Sequence, residues 1–128
     1  MSNVPKNLKY TTQHEWIRVE GKTGVCGISD HAQSALGDVT FVELPAIGKL
    51  LKQGAEVCAI ESCKAAASVY APAGGKVLDA NKQVEGDPAL VNSDPYGAGW
   101  IFKLELSDSG ELASLMDSAQ YEAFLKTQ

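Results

Sequence analysis

An ungapped internal repeat constrains this chain more than any single motif does. Residues 45–57 lie over residues 72–84 at an offset of 27, and six of the thirteen aligned pairs are identical: Pro, Ala, Gly, Lys, Leu and Val. Each copy opens on a Pro/Gly turn, runs through a short apolar strand, turns again at Gly54 or Asn81, and closes on a valine. A solenoid needs about three stacked units to bury a continuous core. Two copies therefore predict the halves of a pseudo-symmetric β sandwich. Residues 58–71 must form the turn between the halves, which puts Lys64, near their midpoint, at a hairpin tip pointing into solvent.

A surface lysine is ordinarily just a solvated cation, but the neighbours of this one are unusual. Hairpin tips favour Gly, Asn, Asp or Pro, which accept strained dihedrals or make local hydrogen bonds. Here the tip reads Ser62-Cys63-Lys64-Ala65-Ala66-Ala67, with Glu61 three residues before the lysine. Small flanking side chains leave the ammonium sterically open to another protein. A free lysine has a pKa of about 10.4 and is a poor nucleophile at neutral pH, so acylating it requires an activated donor and an enzyme.

The rest of the chain predicts short strands with peripheral helices. Trp16–Glu20 and Thr23–Ile28 alternate around Gly21-Lys22 as a β-hairpin. Asp30 with Gln33 reads as a capping pair and Gly37 as a stop for a helix over 31–36. Further strands are expected at 39–44, 56–61, 68–70, 76–79 and 100–106. Leu112, Leu115 and Met116, then Tyr121, Phe124 and Leu125, recur at helical spacing, with Asp117 and Gln120 as a second cap.

Composition excludes several functions. The chain carries a net charge of −5 and a single arginine, Arg18, which disfavours phosphate backbones and hence a nucleic-acid role. No run approaches the roughly 20 apolar residues of a membrane span, and residues 1–6 lack secretory or transit character. The expected setting is cytoplasmic, or the mitochondrial matrix for a mature organellar form. Cys26, Cys58 and Cys63 show no metal-ligand spacing; the first two read as small buried hydrophobes, and only Cys63 invites thiol–disulfide exchange. No nucleophile–base–orienter set stands out, and His14 and His31 read as structural or capping groups.

Motifs along almost the whole chain resemble the H protein of the glycine cleavage system, a lipoyl carrier. They include Lys9-Tyr10, His14-Glu15-Trp16, Gly27 to Gln33, Leu36-Gly37-Asp38, Phe41 to Pro45, Glu61 to Ala65, Tyr70-Ala71-Pro72, Val91 to Tyr96 and Gly99-Trp100. Only the lysine motif is shared with other lipoyl domains. The resemblance implies a mainly β fold, the lipoyl-domain hammerhead β sandwich (a barrel-sandwich hybrid), with short peripheral helices and a C-terminal helix. It implies one carrier domain over 1–128, with a sandwich core at about 14–106 and a helical segment at about 109–126. It also implies one covalent lipoate on Lys64, with Glu61 and Gly75, eleven residues after the lysine, as features read during lipoylation.

The implied activity is carriage, with no turnover by the chain itself. The expected partners are glycine decarboxylase (P protein), aminomethyltransferase (T protein), dihydrolipoamide dehydrogenase (L protein), and a lipoyl/octanoyl transferase or lipoate ligase. A lipoyl-lysine arm of about ten bonds would reach roughly 12–14 Å at ~1.2 Å per bond. The family uses a glutamate, here Glu15, to hold the cationic aminomethyl cargo, supported by a hydroxyl two residues earlier and an aspartate four residues after the lysine. This chain has Gln13 and Ser68 there, so the clamp is expected to be weaker, or rebuilt by Thr12 or Ser68. Alternatives are a lipoyl-relay carrier and a 2-oxo acid dehydrogenase-type lipoyl domain, although the Ala/Pro-rich linker and acyltransferase core of the latter are missing. A biotin carrier would place methionines beside its lysine, where Cys63 and Ala65 stand.

Overall fold

The strands of the two repeat copies pair directly with each other. In the computed structural model, which describes residues 3–128 apart from the side chain of Ser109, the elements run in the following order. They are β1 (Lys9–Tyr10), β2 (Glu15–Glu20), β3 (Thr23–Ile28), α1 (Asp30–Leu36), β4 (Val39–Val42), β5 (Leu50–Leu51), β6 (Glu56–Ser62) and β7 (Ala66–Tyr70). Then come β8 (Gly75–Ala80), α2 (Lys82–Gly86), α3 (Leu90–Ser93), β9 (Phe102–Leu106), a 3-10 turn (Ser109–Ser114) and α4 (Ser118–Leu125). Two antiparallel sheets result: six strands in the order β1-β2-β3-β9-β8-β5, and three in the order β4-β6-β7. The architecture is the mainly β sandwich expected, with short helices at its edges and a helix at its C-terminal end.

The repeat is only locally symmetric. Leu50 pairs with Lys76 and Leu51 with Gly75, so both copies sit in the larger sheet. The copies then diverge: Gly54, at φ 84°, turns the chain into β6, whereas Asn81 caps α2 by accepting from the Gln83 amide. Val57 and Val84 are both buried, one from a strand and one from a helix. The base of the β6–β7 hairpin is closed where the Gly54 amide donates to the Ala71 carbonyl at 2.8 Å and the Ala71 amide returns the bond to Ala55 at 2.8 Å.

Two apolar clusters hold the layers. Ile17, Val42, Ile60, Val77, Phe102 and Leu104 belong to the main core. Tyr10, Trp16, Val25 and Tyr121 form a second cluster to which α4 contributes Tyr121. There the Tyr10 and Tyr121 rings stack at 4.4 Å, and Trp16 donates from Nε1 to the Pro95 carbonyl at 3.0 Å. This second cluster explains why the in-out alternation expected for β2 fails at its start: Trp16 and Ile17 are both buried, each in a different cluster.

Other expectations need adjustment. The N-cap of α1 is Ser29, whose Oγ accepts from the Ala32 amide at 3.2 Å; Asp30 is the first helical residue and still accepts from Gln33 Nε2 at 2.7 Å. The fourth strand stops at Val42 and the last begins at Phe102. The C-terminal segment is not one helix. It breaks after the 3-10 turn so that Met116 can bridge to Tyr10, and Asp117 then starts α4 with a capping box to Gln120. Leu112, Leu115 and Met116 therefore do not share a helical face with Tyr121. Two of the short peripheral helices, α2 and α3, lie where no local sequence signal places a helix.

Candidate functional site

The β6–β7 hairpin delivers Lys64 to a tip fixed by its own side chains. Ser62 pairs through its amide with the Ala65 carbonyl at 2.8 Å, and its Oγ accepts from the amides of Lys64 at 3.3 Å and Ala65 at 3.1 Å. Serine thus performs the local bonding that Asn or Asp supplies in an ordinary turn. The Cys63 amide donates to the Asp38 carbonyl at 3.0 Å, tying the tip to the corner between α1 and β4. Lys64 is exposed, and its stem passes close to that corner: a Cβ on Gly37 would lie 3.3 Å from Lys64 Cε. Gly37 holds φ at 79°, and Asn92 brackets it by donating to its carbonyl at 2.9 Å and accepting from the Val39 amide at 2.8 Å.

Beside the hairpin a mostly apolar groove of about 210 Å³ runs between α1 and β7. Ala32, Ala35, Leu36, Ile60, Ala67 and Val69 line it, and Gln13 and His14 also contribute. A second, more polar cleft of about 350 Å³ is lined by Thr11, Glu15, Gln53, Tyr70 and Ser114, again with Gln13. Gln13, in the loop between β1 and β2, borders both spaces.

Glu15 is the chemically unusual residue of the polar cleft. It is 1% exposed, yet Thr11 Oγ1 donates to one carboxyl oxygen at 2.6 Å and the Tyr70 amide to the other at 3.1 Å. Burial raises its pKa above the ordinary carboxylate range, and these two hydrogen bonds oppose the rise. The hydroxyl that bonds Glu15 is that of Thr11; neither Thr12 nor Ser68 is bonded to it. Thr11 Oγ1 also accepts from the amides of Gln13 and Glu15, each at 3.1 Å, a turn that its spacing four residues before Glu15 signals in retrospect. Ser68 lines the apolar groove, but its hydroxyl bonds Glu56 on the neighbouring strand.

The remaining candidates separate in space. Glu61 is exposed and lies across from Phe41 on β4 and Ala66 on β7, next to the lysine turn. Gly75 belongs to the other sheet, paired with Leu51 and Leu106, where a Cβ would run into the Glu105 carbonyl oxygen. That clash is a sufficient packing reason for glycine there. His14 sits at φ 68° with Nδ1 2.8 Å from Tyr121 Oη, its ring 4.6 Å from that of His31. Burial, reinforced by His31, lowers its pKa. Cys26 and Cys58 are buried, which pushes the first thiol well up and the second up to about 12, while Cys63 is exposed.

Two antiparallel sheets thus present an open lysine at a hairpin tip. The sequence model of the family described as Glycine cleavage H-protein matches residues 8–128. A glycine cleavage system H protein of Symbiobacterium thermophilum is 54% identical over 126 residues, covering 98% of both chains. That of Methylocella silvestris is 55% identical over 121 residues, covering 94% of this chain and 97% of the relative. A crystal structure of a glycine cleavage system H protein from Mycobacterium marinum superposes with a TM-score of 0.88 at 33% identity, covering 96% of this chain and 99% of that one. The chain belongs to the glycine cleavage H-protein family, whose members are the lipoate-bearing carriers of that system. Among the described residues no helix is long and apolar enough to cross a membrane.

Proposed function

We propose that the chain is the lipoyl shuttle of glycine cleavage, working as one carrier domain with a single lipoate amide-linked to Nζ of Lys64. The observation that carries this reading is the open lysine on a tied hairpin tip beside an apolar groove. When bound, the lipoyl group supplies a disulfide that takes up the aminomethyl remnant of glycine and two electrons together. Everything else the chain does is positioning. Ser62 and the Cys63–Asp38 bond hold the attachment point. Ala32, Ala35, Leu36, Ala67 and Val69 offer a surface on which an aliphatic chain sheds water. Glu15, held by Thr11 and the Tyr70 amide, offers an acceptor for a cationic amine in the adjoining polar cleft. Glu61 is read by the attaching enzyme.

The partners in this reading are the pyridoxal-phosphate glycine decarboxylase, the folate-dependent aminomethyltransferase, dihydrolipoamide dehydrogenase, and a lipoyl/octanoyl transferase or lipoate ligase, in the cytoplasm. The test is intact mass with fragment mapping of the chain from lipoate-replete cells that supply a matching attachment system. One lipoyl increment on Lys64, and none in a Lys64→Ala variant that folds, is the expected result. A biotinyl increment, or a wild-type chain left unmodified, overturns the reading.

A further inference from the structure

We infer that the enzyme attaching the cofactor docks on a composite face built from the hairpin tip and β4, with Phe41 as its apolar anchor. This rests on the reading of Lys64 as the attachment point. Phe41 is 48% exposed. It stands directly across from Glu61, which pairs in turn with Ala66, so Phe41, Glu61 and Ala66 form one outward row across β4, β6 and β7. Val39 pairs with Ser62, and a register shift between Val39 and Phe41 places the aromatic residue opposite Glu61, on the rung next to the one that supports the lysine turn.

Three features make this row a docking surface. The tip and the start of β4 are bonded to each other through the Cys63 amide and the Asp38 carbonyl, so a partner meets them as one body. The ring stands open beside Glu61, and beyond it in the row Ala66, with Ala65 in the turn, is small and exposed. Asp38, Glu43 and Glu61 are exposed around it, and none joins a salt bridge among the described residues, where Arg18–Glu20 is the pair found. The complementary partner is therefore a protein with a shallow apolar recess rimmed by lysine or arginine. Exposed aromatics that enter a recess are the side chains on which binding energy concentrates. Val19 is exposed to a similar degree, but on β2 of the larger sheet, and serves as a control.

The experiment follows initial rates of lipoate attachment by a lipoate–protein ligase with lipoate and ATP, varying the concentration of the full-length apo chain. Phe41→Ala is expected to raise KM for the chain about tenfold with kcat within twofold and an unchanged melting transition, while Val19→Ala matches wild type. Salt is expected to raise KM for wild type as it screens the carboxylates. Wild-type kinetics in Phe41→Ala, or equal losses in both variants, overturn the docking face while leaving Lys64 as the site. A wild-type chain that takes no lipoate overturns the underlying reading and this inference with it.

Discussion

The Glu15 carboxylate accepts a 3.1 Å hydrogen bond from the Tyr70 amide, joining β2 of the six-stranded sheet to β7 of the three-stranded one. A 1%-exposed acid thus spans the two layers, at a point where an apolar side chain would leave the edge amide of β7 unpaired.

This placement predicts a pH dependence. The folded pKa of Glu15 is raised above 4.5, mainly by burial, so the stability associated with its neutral form is complete below that value. It is lost as pH rises through the higher folded value. The difference in unfolding free energy between wild type and Glu15→Gln should therefore shift against wild type as pH increases through that window. Urea titrations at matched pH values measure it, and a pH-independent difference would show that Glu15 titrates normally.

Gly75→Ala tests why that position is glycine. A Cβ facing the Glu105 carbonyl oxygen forces the β8–β9 backbone apart, and overpacking of this kind costs about 1–3 kcal/mol. Chemical denaturation is expected to show the loss. The remaining folded protein should still accept lipoate at Lys64. Normal stability with failed lipoylation would instead make Gly75 a feature read by the attaching enzyme.

Gly37→Ala addresses the corner beneath the lysine. Its φ of 79° with ψ of −159° lies in a region adopted almost only by glycine, where a Cβ costs about 1–3 kcal/mol, and the added methyl would press on the lysine stem. Amide spectra should show shifts concentrated at residues 36–39 and 62–65, together with faster hydrogen exchange at Cys63. Shifts spread over the whole chain would point to global loosening.

The three thiols should differ in reactivity. Iodoacetamide at pH 8 is expected to label Cys63 within minutes, whereas Cys26 and Cys58 should react only on unfolding, because they are buried and their thiols resist ionisation. Peptide mapping after timed quenching decides this. Rapid labelling of Cys58 would mean that β6 opens from its neighbours.

What could be read from the sequence follows from which signals are local. The β2–β3 hairpin declared itself through Gly21-Lys22, which joins two apolar runs, and the α4 cap through Asp117 and Gln120, because each signal lies within a few residues. Lys64 was legible because the repeat frames it. The helices α2 and α3, at five and four residues, are too short for a periodic pattern to register. Glu15 reads as a cleft carboxylate from the sequence, but its burial and its Tyr70 partner depend on β7, which is more than fifty residues away in the chain. Local alternation likewise could not show that Tyr121 of α4 joins Tyr10 and Trp16 in a second cluster.

The ties at both ends of the β6–β7 hairpin have a mechanical consequence. With its base closed between Gly54, Ala55 and Ala71, and its tip bonded to Asp38, the hairpin is a fixed pivot. Whatever is attached to Lys64 sweeps a volume defined by the length of the arm alone. In the proposed carrier role, a partner docked beside that pivot would meet the cargo at an effective concentration in the millimolar range or above, whatever the bulk concentration of the carrier.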